Sequence, residues 1–136
     1  MKKIILDTNF LLIPLQFRVD IFSEISRICN FNHRLYIFDK TIDELRGIIE
    51  QQSVKNKKAA QFGLKLIKFK NIRILKSEQK DVDSLILQHL DADTIIATQD
   101  IPLKRELIKK GVSMIILRQK KYLQLIERGN FKLTGK

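Results

Sequence analysis

The chain has 136 residues, enough for one domain with a substantial core and too few for two. Twenty-six Lys and Arg against fifteen Asp and Glu give a net charge of +11, which favours a polyanionic partner, most simply a nucleic acid. One cysteine and two histidines exclude an intramolecular disulfide and a Cys/His zinc site, and no apolar run is long enough to span a membrane.

Ile4-Ile5-Leu6 is a short continuous apolar run, the mark of a strand buried on both faces of a parallel sheet. It stops at Asp7-Thr8-Asn9, and the apolar Phe10 to Ile13 that follows reads as a loop or short helical turn interrupted by Pro14. Apolar positions 21, 22, 25 and 28 predict a helix within Val19–Ile28, and Leu35–Phe38 is a second strand ending at Asp39. Thr41-Ile42-Asp43-Glu44 fits a capping box and predicts a helix from there to about Glu50. Gln51–Lys58 reads as an exposed basic connection, Ala59–Phe69 as an amphipathic helix and Ile72–Leu75 as a third strand. A loop over Ser77–Lys80 precedes Asp81, an N-cap for a helix whose buried stripe is Val82, Leu85, Ile86 and Leu90. Thr94–Thr98 is a fourth strand. Pro102 opens a helix that Gly111 ends, and Val112–Leu117 is a fifth strand. From Arg118 onward the chain is basic and compatible with one more helix before a frayed end. This alternation predicts an α/β fold with a mostly parallel sheet of about five strands and helices on both faces.

Ligands in such sheets bind beyond the carboxyl ends of the strands. Four acids fall there: Asp7 after strand one, Glu44 and Asp83 early in the helices after strands two and three, and Asp100 after strand four. Each has a simpler explanation as a helix cap or a partner of the helix dipole, with Asp7 the hardest to explain in that way. Asp91 and Asp93 precede strand four and belong to the opposite edge; Asp43 points away if Glu44 faces the crevice. Four convergent carboxylates repel one another and call for a cation, and hard oxygen donors select Mg²⁺ or Mn²⁺. A basic protein with an acidic metal crevice suits phosphodiester hydrolysis in nucleic acid. Lys104, Arg105 and Arg118 follow strands four and five at that edge and are the candidate phosphate contacts. Dinucleotide-binding and P-loop glycine motifs are absent, as is the nucleophile elbow of the α/β-hydrolases.

Ile4-Ile5-Leu6-Asp7-Thr8-Asn9-Phe10, Glu44-Leu45, Asp83-Ser84-Leu85-Ile86 and Ile95-Ile96-Ala97-Thr98-Gln99-Asp100 together resemble the motifs of the PilT N-terminal (PIN) domain nucleases, over nearly the whole chain. Phe10-Leu11-Leu12 with Phe17–Ile21, and the later Leu103–Arg105 and Ile116–Arg118, resemble most the branch related to small-subunit ribosomal RNA processing. The resemblance implies a three-layer α/β/α PIN-like fold with strand one central. It implies a single domain over 1–136, with a core of about 1–118 and a basic C-terminal tail over 119–136. It makes Asp7, Glu44, Asp83 and Asp100 catalytic metal ligands, directly or through water, and Asn9 and Thr98 polar support. The aligned acid is Asp83 because Leu85-Ile86 then match, and Asp81 shares the role if the helix starts later. The implied activity is Mg²⁺- or Mn²⁺-dependent endoribonuclease cleavage of single-stranded RNA, such as an rRNA precursor. Rivals are a toxin of a toxin–antitoxin pair and a non-hydrolytic RNA-binding or ribosome-assembly protein. A homodimer, and an antitoxin or ribosome-assembly partner, are compatible with these readings. With no signal-like hydrophobic segment behind Lys2 and Lys3, the expected location is the cytoplasm and no membrane partner is expected.

Overall fold

A computed structural model describes residues 1–51, 54–78 and 81–128. Six strands form one sheet: β1 (Lys2–Leu6), β2 (His33–Phe38), β3 (Arg73–Leu75), β4 (Thr94–Ala97), β5 (Ser113–Arg118) and β6 (Tyr122–Ile126). Their order is β3-β2-β1-β4-β5-β6, all parallel except β6, which runs antiparallel to β5. The strand that ends at Asp7 is therefore central, as its unbroken apolar run requires.

Alternation along β1 divides the core. Ile4 and Leu6 face a cluster with Phe10, Leu11, Ile21, Ile25, Leu45 and Ala60, while Ile5 faces Phe38, Leu85, Ile86, Leu103 and Leu107 on the other side. The first face carries α1 (Ile13–Gln16), α2 (Ile21–Ile28), α3 (Asp39–Gln51) and α4 (Val54–Phe69). The second carries α5 (Val82–Gln88) and α6 (Ile101–Lys110). Right-handed crossovers between parallel strands distribute helices over both faces in this way.

The sequence pattern and the structure differ at several points. Pro14 does not interrupt a turn. The chain leaves β1 through a 3₁₀ turn, Thr8–Leu12, and Pro14 lies in the first turn of α1, where its missing N–H costs nothing. The Thr41–Glu44 capping box does not form. Helix α3 starts two residues earlier, at Asp39, and Thr41 is fully buried inside it. Residues 54–58 are not a connection but the first turns of α4; Gln52 and Ser53 of the predicted connection lie outside the described residues, as do Gln79 and Lys80 of the predicted loop. The sheet has six strands rather than five, because residues 122–126 of the segment read as a basic, helix-compatible tail add an edge strand instead.

That edge strand is anchored. The Leu123 backbone N–H donates to Glu24 Oε1 at 2.9 Å, and Arg27 donates to the Leu123 carbonyl at 3.2 Å. Glu24 and Arg27 pair with each other one turn apart on α2. No described helix is long and apolar enough to cross a membrane.

Candidate active site

Because β1, β2, β3, β4 and β5 are parallel, the residues that follow them meet at one edge. A cavity of about 260 Å³ opens there, lined by Asp7, Thr8, Asn9, Glu44, Asp83 and Asp100, among others. All four predicted acids line it. Asp7, Asp83 and Asp100 each place one carboxylate oxygen within 4.8 Å of the others. Glu44 stands apart from that group of three and reaches the cavity from α3.

Three of the four carboxylates, those of Asp7, Asp100 and Glu44, are held by donors that the fold supplies. Asp7 is 4% exposed; Thr98 Oγ1 donates to its Oδ2 at 2.6 Å and the Thr8 N–H donates to its Oδ1 at 2.8 Å. Thr98, itself fully buried, accepts from the Asp100 N–H at 3.0 Å, so one hydroxyl fixes both acids. Asp100 caps α6 through the Leu103 N–H at 3.0 Å. Thr8 Oγ1 donates to Glu44 Oε1 at 2.6 Å, and the Val82 N–H lies 3.4 Å from Glu44 Oε2. Asn9 Oδ1 accepts from the Gln99 N–H at 3.3 Å, tying the segment after β1 to the segment after β4.

Two threonines carry more of the site than the sequence indicates. Thr8 bonds both Asp7 and Glu44, and Thr41 lies 3.4 Å from the Thr8 hydroxyl. A threonine directly behind the first acid was the available signal for Thr8. The Thr41 signal was misleading, since its hydroxyl looked like a cap. Asp81 also lines the cavity, but it caps α5 through the Ser84 N–H and hydroxyl, at 3.0 and 2.8 Å.

The electrostatics are those of crowded acids. Burial pushes the Asp7 carboxyl above its ordinary range, the Thr98 and Thr8 bonds pull it back, and the charges of Asp100 and Glu44 push it up again. Asp83 is pushed up to about 7 by burial, by the Asp7 charge and by its bond to Asp100. Asp91 and Asp93 lie at the opposite edge, beside Lys3 at 3.0 Å and Lys2 at 3.6 Å.

The donor set fits a hard divalent cation. All three clustered groups offer carboxylate oxygens, the hard donors that such an ion prefers, and one oxygen of each lies within 4.8 Å of the others. Among the predicted phosphate contacts, Lys104 sits in the first turns of α6, close enough to Arg118 and Asp100 for both charges to act on it. Arg118 is exposed at the end of β5. Arg105 does not join them; it lies with Pro102, Glu106 and Lys109 in a separate groove along α6.

The family profile described as PIN-like domain matches residues 4–120. The chain is 29% identical over 127 residues to "Ribonuclease VapC4" of Methanocaldococcus jannaschii, covering 92% of this chain and 97% of that one. Its fold is similar to that of "the PIN domain endonuclease Utp24", with a TM-score of 0.74 at 20% identity over 96% of this chain and 95% of that one. A domain of a functionally unknown Methanocaldococcus jannaschii protein matches with a TM-score of 0.57 at 15% identity, over 98% of this chain and 99% of that domain. Fold, acid constellation and family profile agree, and the chain belongs to the PIN-like domain family.

Proposed function

We propose that this protein is a metal-dependent endoribonuclease that hydrolyses phosphodiester bonds of single-stranded RNA in RNA processing or turnover. The observation that carries the reading is the convergence of Asp7, Asp83 and Asp100 on one cavity of a strongly basic protein. These three carboxylates would hold a Mg²⁺ or Mn²⁺ ion, with Glu44 at the cavity wall. When bound, such an ion lowers the pKa of water and offsets charge developing on the attacked phosphate.

The protein's own contribution is pre-organisation. Thr98 and Thr8 hold the Asp7 carboxylate in one orientation, and the Leu103 N–H holds Asp100. Burial and the Asp7 charge push the Asp83 carboxyl up to about 7, so a cation held beside it would favour its charged form. Lys104 and Arg118 hold phosphates beside the cut bond. Arg105, on a different groove of α6, contributes only to general attraction. The lone buried Cys29 suits a reducing compartment, in keeping with a cytoplasmic role.

A second reading keeps the chemistry and changes the setting. Identity to a relative named as a VapC ribonuclease, over almost the whole of both chains, favours a toxin-type enzyme with an antitoxin partner. The test of the activity is incubation of a mixed RNA pool with Mn²⁺ and with chelator. Fragments only with Mn²⁺ support the enzyme. Tight RNA binding without fragments under any divalent ion would instead identify a non-hydrolytic RNA-binding protein.

A further inference from the structure

The β5–β6 hairpin stands at the same edge as the acid cavity. Strand β5 is parallel to β4 and pairs with it, so Arg118 emerges beside the segment that carries Asp100. The chain then turns through Gln119, Lys120 and Lys121, closed by the Lys121 N–H donating to the Arg118 carbonyl at 2.9 Å. All three turn residues are exposed.

Two features of this turn go beyond what a connection needs. Gln119 and Lys120 both have positive φ, 52° and 56°. Tight hairpins of this kind ordinarily place Asn and Gly there, because other side chains crowd the backbone in the left-handed region. Here long polar and basic side chains occupy both positions despite that strain, and strained residues cluster at binding sites. Two of the three cations are also positioned rather than loose. Arg118 Nε donates to Gln124 Oε1 at 2.7 Å, and Lys120 Nζ lies 5.9 Å over the Phe17 ring at the end of α1. The hairpin beneath them is fixed through Glu24 and Arg27 of α2.

We propose that the β5–β6 turn is an RNA-backbone clamp, in which Arg118, Lys120 and Lys121 continue the track begun by Lys104 and hold the strand flanking the bond at the acid cavity. The occupant is single-stranded RNA, chosen on charge and on continuity with the cavity. Neighbouring strands are about 4.8 Å apart, so β6 begins about 10 Å from β4. That distance places the turn beside the nucleotides next to the reacting one. The clamp deepens the nuclease reading and rests on it for the identity of the strand.

The decisive variant is Gln119→Asn/Lys120→Gly. It installs the pair the turn geometry favours, so the fold should melt at the same temperature or higher, while one clamp charge is lost. Binding of a fluorescein-labelled, mixed-sequence single-stranded RNA is measured in chelator, where nothing is cut. The expected result is a three- to tenfold rise in Kd and a log–log salt slope shallower by about 0.7. Lys121→Ala should add a further loss of similar size. Lys2→Ala, at the opposite edge, removes the same charge and should change Kd less than twofold. A fully folded double variant with unchanged Kd and slope overturns the clamp, as does an equal loss in Lys2→Ala. The readout does not depend on catalysis. A parent protein that never cuts RNA but loses affinity through the turn refutes the nuclease and keeps the clamp; one that cuts RNA with Kd and KM indifferent to the turn does the reverse.

Discussion

Thr98 is the residue through which the site and the fold can be weighed together. Replacing it with Val keeps the shape and removes the hydroxyl. Two bonds go: the 2.6 Å donation to Asp7 Oδ2 and the 3.0 Å bond from the Asp100 N–H. A hydrogen bond to an ionised group contributes about 1.5–3 kcal/mol, and an N–H left without its partner costs about 1 kcal/mol or more. The extra buried methyl returns about 0.8 kcal/mol. Thr98→Val should therefore destabilise the metal-free protein by about 2–3 kcal/mol at pH 8, or roughly 10 °C in Tm. The cost should shrink at acidic pH, because a protonated Asp7 no longer needs a donor at that oxygen. It should also shrink by about 1 kcal/mol in an Asp7→Asn background, where only a neutral bond remains to lose. Urea unfolding of the four proteins of this cycle, at pH 8 and pH 4.5, measures all of these. A cost below about 0.5 kcal/mol at pH 8, or one undiminished by Asp7→Asn, would refute the idea that Thr98 holds an ionised Asp7.

Other outcomes follow from the same structure. Asp7 and Asp83 have folded pKa values above their ordinary 3.8, with Asp83 near 7, so between those values the native state binds more protons than the unfolded chain. Stability in chelator should then fall as pH rises from about 4 to about 7, and Mn²⁺ at 100 times its Kd should restore about 2.7 kcal/mol; a flat profile unaffected by Mn²⁺ sinks the shared site. Gly47→Ala, with open space around the new Cβ inside α3, should stabilise by about 0.5–1 kcal/mol. Gly63→Ala should lose about 1–3 kcal/mol, because its Cβ would stand 2.9 Å from the Leu11 carbonyl oxygen; urea titrations of the two variants should move in opposite directions. Affinity for single-stranded RNA should fall with salt at a log–log slope of about −3 if about four phosphates are neutralised, and a slope near zero would remove the electrostatic picture.

Much of this site could be read before any coordinates. The positions of Asp7 and Asp100 follow from strands that end abruptly, and parallel topology then brings them together. Asp83 follows from its place early in the helix after β3. What could not be read depends on tertiary crossing. The Thr8–Glu44 bond joins residues 36 apart and needs α3 to start at Asp39, where the sequence offers Thr41 as a more attractive cap. The turn before β6 carries no Asn-Gly signal, because Gln119 and Lys120 occupy its left-handed positions, so the strand behind it reads as tail. The polar run 54–58 lacks apolar spacing yet joins α4 through the packing of its later turns on the 3₁₀ segment.

The most direct measurement is cleavage of a single-stranded RNA in Mn²⁺ by the parent protein, Asp7→Asn, Asp100→Asn and Asp93→Asn, with circular dichroism confirming that each is folded. Parent and Asp93→Asn should cut at comparable rates, since Asp93 lies at the far edge of the sheet beside Lys2. Asp7→Asn and Asp100→Asn should lose at least about a hundredfold, the scale expected when a group that stabilises transition-state charge is removed. Full activity in either of those two variants would contradict the claim that these carboxylates gather the catalytic ion.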